Sequence, residues 1–122
     1  MKTLHRADKL THWLVSYGTY LELICIGVRA GNQAVCGCPS LAELHRQYRE
    51  LLPQRSGDAL DLAACHCGVI GALCRLREAR GDIGRETCAE RELRTRRRVH
   101  NEVLTRMLAS LGSLDGGLSP PT

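Results

Sequence analysis

Residues 8–30 read DKLTHWLVSYGTYLELICIGVRA, and this stretch decides how the rest of the chain is understood. Leu10, Trp13, Leu14, Tyr17, Leu21, Ile24, Cys25 and Val28 recur at steps of three and four, the spacing of one helical face. Tyr20, Leu23 and Ile26 spread the apolar surface well beyond a single stripe. A helix apolar over most of its circumference has to be covered on more than one side. Gly31-Asn32 supplies a stop, while Gly18 and Gly27 inside the run weaken it. His12, Ser16, Thr19 and Glu22 interrupt the apolar residues, so 13–28 is too short and too polar to span a bilayer. Lys2, Arg6 and Lys9 precede it, but no small-residue cleavage site follows, so no export signal is expected.

Three further helices follow from the same kind of reading. Ser40-Leu41-Ala42-Glu43 is a capping box, in which hydroxyl and carboxylate each satisfy a backbone N–H; Leu41, Leu44, Tyr48 and Leu51 form the buried face behind it, and Pro53 ends the helix. Asp58 is placed to cap the next helix. That helix is apolar or small nearly all round from Leu60 to Cys74, which predicts a central buried element; Ala64, Gly68 and Gly71 would let a neighbouring helix come close. Gly81-Asp82 is a stop followed by a cap. The last helix is densely charged from Arg85 to Arg98, with Glu90–Arg94 and Glu92–Arg96 spaced as favourable four-residue pairs, and amphipathic through Val99, Val103, Leu104, Met107, Leu108 and Leu111. Residues 112–122 are rich in Gly, Ser and Pro. The expected fold is all-α: a small four-helix domain with helices at about 8–30, 41–52, 59–80 and 83–111. It makes one domain over 1–111 with a flexible, disordered tail over 112–122.

Composition agrees with helices. Hydrophobic residues make up 43% of the 122, aromatics only 3%, and Phe is absent, while Leu, Ala, Arg and Glu are abundant. The +4 charge is concentrated: ten arginines face six acids between Arg75 and Arg106, and the remainder of the chain is balanced. Fifteen of the seventeen basic residues are Arg, which suits bidentate pairing with carboxylate or phosphate.

Several constellations invite chemistry. Cys36-x-Cys38 and Cys65-His66-Cys67 offer soft ligands, but zinc pairs are usually spaced by two or more residues. On a helix Cys65 and Cys67 point about 200° apart. Seven cysteines, an odd number, then read as thiols of a reducing, cytoplasmic compartment, and no metal site or cofactor is expected. Cys36 and Cys38, just before a helix N-terminus, leave a redox-sensing alternative open. No Gly-rich phosphate loop or nucleophile elbow occurs and the five histidines are scattered, so no enzyme activity is expected. His66, inside an apolar helix, reads as a hydrogen-bonded core histidine. A helix-turn-helix around 53–57 is rejected, because the second helix presents Ala, Cys, Leu and Val where base edges need polar groups.

Two surfaces remain. Trp13, Tyr17, Tyr20, Leu21 and Ile24 supply apolar anchors for a protein partner, and Arg94, Arg96, Arg97 and Arg98 supply a basic patch for an acidic partner or for phosphate. The expectation is a small regulatory interaction protein of bacterial type. It would cover an apolar or dimerisation surface of a partner such as a transcription factor, as an anti-activator or adaptor does, and a symmetric homodimer fits the same excess apolar surface. The alternatives are a nucleic-acid accessory protein using the arginines of 85–98, without aromatics to stack on bases, and a zinc or redox protein using the cysteine pairs.

Overall fold

The computed structural model describes residues 2–31 and 41–117, with side chains from 5–31 and 41–114. It is all-α. Helices α1 (Lys2–Arg29), α2 (Leu41–Leu51), α3 (Ser56–Glu78) and α4 (Ile83–Gly117) follow in order, with a 3-10 turn at Pro53–Arg55, and no strand occurs among the described residues. Side-chain pairs fix the directions. Arg6 meets Glu50, Tyr17 meets His66 and His100, Glu22 meets Arg97, and Arg75 meets Glu92. Each helix therefore runs against its neighbour in sequence, and α1 lies antiparallel to α4. Ser40 of the capping box, Cys36, Cys38 and residues 118–122 lie outside the described residues.

The apolar periodicity closes one core. Leu14, Leu62, Leu73, Leu93, Met107 and Leu111, from three of the helices, are all but inaccessible, and Tyr48 brings α2 onto them. Burying a side chain of this kind contributes about 2 kcal/mol. Left-handed glycines end two helices where expected, with Gly31 at φ 106° and Gly81 at φ 90°. Asp82 then caps α4, its Oδ1 accepting from the Arg85 N–H at 3.1 Å.

Helix limits differ from the sequence reading for identifiable reasons. α1 starts at Lys2 rather than near 8, because Ala7 continues the buried stripe and Arg6 pairs with Glu50. α4 runs to Gly117 rather than 111, carried on by Leu114 packing against the core. α3 begins at Ser56, so Asp58 does not cap it. Asp58, 9% exposed, instead accepts from Tyr48 Oη at 3.2 Å and Arg106 Nε at 3.0 Å, and Arg106 also reaches Asp61 at 3.4 Å. Burial, with the neighbouring Asp58 charge, pushes the Tyr48 phenol up to about 12. Arg106→Ala leaves Asp58 desolvated and unpaired. Arg106 is 45% exposed, so we expect about 2 kcal/mol of destabilisation, below the range for a fully buried pair. Urea unfolding measures it, and a loss under about 0.5 kcal/mol would show that water replaces the guanidinium freely.

α3 is not buried all round. Leu62, His66, Val69, Leu73 and Leu76 face the core, but Leu60 is 59% exposed and Ala64 and Cys67 face solvent. The small residues here admit side chains rather than another helix. A Cβ on Gly68 would stand 3.3 Å from Arg96 Cδ, and one on Gly71 would stand 3.4 Å from the Arg75 guanidinium. The close helix approach occurs elsewhere, at Gly18, where a Cβ would stand 3.0 Å from Leu104 Cδ2 and so hold α1 off α4. Pro53–Glu78 contains an 18-residue window of mean hydropathy 1.5, long and apolar enough to cross a membrane, and 39% of that window is buried inside the fold. Its Asp58 and His66 have their hydrogen-bond partners inside the fold.

Candidate functional site

Two acids of α4 are used between helices, not along one. Glu90 pairs with Arg29 of α1 at 3.1 Å, and Glu92 pairs with Arg75 of α3. The expected Glu90–Arg94 and Glu92–Arg96 pairs do not form, because the carboxylates gain more by stapling neighbouring helices than by solvent-exposed contacts within one turn. Arg97 is likewise taken by Glu22, and Arg106 by Asp58 and Asp61. Arg94, Arg96 and Arg98 are left with no ion pair or hydrogen-bond partner among the described residues. Arg96 lies across Gly68. Arg94 and Arg98 line a surface groove of about 710 Å³ together with Arg29, Arg97, Asn101 and Thr105. Glu102 and Arg106 border it too.

The apolar anchors divide. Tyr17 and Leu21, 3% and 5% exposed, belong to the core and cannot meet a partner. Trp13, Tyr20 and Ile24 are half-buried along the flank of α1, and Trp13 stacks on Tyr17 with centroids 5.6 Å apart. What α1 does offer to solvent is the opposite side. Val15, Leu23 and Ile26 are 51%, 62% and 53% exposed and, with Thr19, sit at four- and three-residue steps on the pole away from the core. The Glu22–Arg97 and Arg29–Glu90 pairs cross between α1 and α4 beside this stripe, so stripe and arginines border one seam.

No protein family, curated protein or solved structure matches the chain.

Inside the fold, three helices meet at one polar joint. Tyr17 Oη lies 2.6 Å from His66 Nδ1 and 2.8 Å from His100 Nε2, and none of the three residues is more than 4% exposed. One hydroxyl has one proton, so it donates to one imidazole and accepts from the other. His100 Nδ1 lies 3.4 Å from Asn101 Oδ1; a proton on that nitrogen would leave Nε2 to accept from Tyr17 and His66 Nδ1–H to donate to the phenol oxygen, and the opposite tautomers would reverse both roles. Burial holds both imidazoles below the ordinary histidine range, and for His100 the neighbouring His66 and Arg97 add to it while Asn101 opposes. The joint is sealed from solvent and holds neutral groups, so what it does in this arrangement is fasten α1 to α3 and α4. His66 is the hydrogen-bonded core histidine that its setting suggested. Tyr17 and His100 were not legible as members of this joint, because Tyr17 stands 49 residues from His66 and 83 from His100.

Cys25 is buried on the core face of α1, and burial pushes its thiol up. Cys65 is partly buried and also raised, while Cys67 and Cys88 are exposed. Cys65 and Cys67 point away from each other on a continuous helix, and no group of three or more metal-ligating side chains assembles among the described residues.

Proposed function

We propose that this chain is a small regulatory protein that works by docking. The seam between α1 and α4 would receive an acidic amphipathic segment of a partner protein: Val15, Leu23 and Ile26 would take its apolar side, and Arg94 and Arg98 its carboxylates. Covered in this way, the partner would lose a surface it uses for its own association, which is how an anti-activator or adaptor acts on, for example, the dimerisation face of a transcription factor. The observation that carries the reading is the diversion of Glu90 to Arg29, which leaves Arg94 without a carboxylate, alongside Arg98 and close to the exposed aliphatic side chains of α1. Exposed thiols at Cys67 and Cys88 fit a cytoplasmic setting.

A second reading rests on Arg91, Arg94 and Arg98, which share one face of α4 and could track phosphates. No aromatic residue stands among them to stack on a base.

One experiment separates the two. The tagged chain is used to capture proteins from its source cells, and the co-purifying species is quantified against variants. Docking predicts that Leu23→Glu abolishes capture of a defined protein and that Arg94→Gln with Arg98→Gln weakens it, more so at low salt, with the far-UV spectrum unchanged. Capture indifferent to both changes overturns docking. Nucleic acid retained in a salt-sensitive way, lost with the arginines and kept with Leu23→Glu, establishes the phosphate reading instead.

A further inference from the structure

We propose that a second copy of this chain closes the outer face of α1, the two helices pairing antiparallel about a two-fold axis at Thr19. The pairing rests on the docking reading of α1 and names the first occupant of that face.

The pattern of the face is self-complementary. Val15 and Leu23 lie four residues either side of Thr19, so an antiparallel partner centred there sets Val15 against Leu23 of the second copy and Leu23 against its Val15. The same register sets Ile26 against His12, whose side chain is 80% exposed. All three exposed aliphatics of α1 are then covered at once. Ser16 and Thr19 at the centre are small and exposed, so the helices can approach to about 8–9 Å.

Charge agrees with this register. Asp8 stands eleven residues before the axis and Ala30 eleven after it, so each copy's Asp8 lies over the other's Arg29 end, about 16 Å from the centre. Glu90, level with that end, is already held by Arg29, and Arg94, about one turn further along α4, has no ion pair of its own among the described residues. Asp8 is 71% exposed and has only a 3.8 Å contact to His12 within its own chain. Symmetry supplies this approach twice, once at each end, so each copy's Asp8 adds a carboxylate near the Arg29 and Arg94 end of the other. A parallel pairing would instead stack like ends together and put Asp8 against Asp8.

Light scattering of the full chain over a concentration series tests this. We expect a mass approaching two chains. Leu23→Glu should weaken association about a hundredfold, as when a central interface residue becomes charged, with helix content and the thermal transition of the monomer retained. Mild oxidation of the Thr19→Cys variant should join two copies through the thiols introduced at position 19, a link identified by peptide mass so that Cys67 and Cys88 do not confuse it. Thr105→Cys, exposed on α4, should give no such self-link. A chain monomeric throughout the series, a dimer indifferent to Leu23→Glu, or a Thr19→Cys variant that links no more than Thr105→Cys overturns the pairing. The docking reading fails separately: a monomeric chain whose partner capture is still lost with Leu23→Glu refutes only the pairing, whereas partner capture indifferent to Leu23→Glu refutes docking on α1 itself.

Discussion

Tyr17→Phe is expected to lower the unfolding free energy by about 3 kcal/mol, with a fall in melting temperature of roughly 10 °C. The change removes one oxygen and leaves packing nearly intact, so the loss comes from hydrogen bonds. His66 Nδ1 and His100 Nε2 both point at that oxygen, at 2.6 and 2.8 Å, from positions closed to water. Each buried imidazole nitrogen left without its partner costs about 1–3 kcal/mol, more than the net value of an ordinary hydrogen bond. Thermal and urea unfolding measure the effect. A double-mutant cycle with His100→Phe should show strong coupling, because the second change removes a group the first had stranded. A Tyr17→Phe protein that melts within about 2 °C of the parent would show that the hydroxyl does not hold the three helices together.

Acid weakens the same joint. Both imidazoles have folded pKa values below the ordinary 6.5, chiefly because burial disfavours the cation. In the unfolded chain they titrate normally, so below about pH 6.5 the unfolded state binds more protons and stability falls as pH falls. The contribution is fully present above 6.5 and is lost on the way down toward the folded values. Each uncompensated proton steepens the loss by up to ~1.4 kcal/mol per pH unit, so two histidines set a limit of about twice that. The carboxylates act lower: Glu43, held down to about 2 by its hydrogen bond from Arg46, contributes stability that disappears only as pH falls below the usual carboxylate range. Stability measured from pH 7.5 to 5 therefore isolates the histidines. The curve should flatten in His100→Gln, and a wild-type curve flat across that interval would mean that neither imidazole is held neutral by the fold.

The helices were readable because their apolar steps, glycine stops and the Asp82 cap are local statements about the backbone. Which side of each helix met water was less so. α3 looked buried all round because its outer residues are small and apolar, yet four helices of this size do not suffice to cover Leu60 and Cys67. On α1 the broad apolar circumference signalled a surplus correctly, but aromatic size pointed to Tyr17 as an anchor where the pole at Val15, Leu23 and Ile26 holds the surplus. Tyr17 went inside because two histidines there could satisfy its hydroxyl, and a pairing across 49 and 83 residues leaves no trace in spacing. Asp58 has the same lesson in reverse. Its position announced a cap, and the competing phenol and guanidinium come from helices that only the tertiary arrangement brings near. The free arginines were hidden for the same reason, since i,i+4 spacing predicts partners that Arg29 and Arg75 claim first.

Arg80 reaches from the turn after α3 to the C-terminal end of α1, its Nη2 donating to the carbonyl oxygens of Val28 at 2.9 Å and Arg29 at 3.0 Å. The Val28 carbonyl also accepts the Gly31 N–H at 3.1 Å, while the Arg29 carbonyl is among the acceptors a helix leaves unmatched at its end, and here a side chain some fifty positions downstream completes it. The terminus of the first helix is thus settled only after the third has formed and turned. A ribosome releasing this chain would deliver α1 with a frayed end, and the finish would arrive only once Arg80 had emerged.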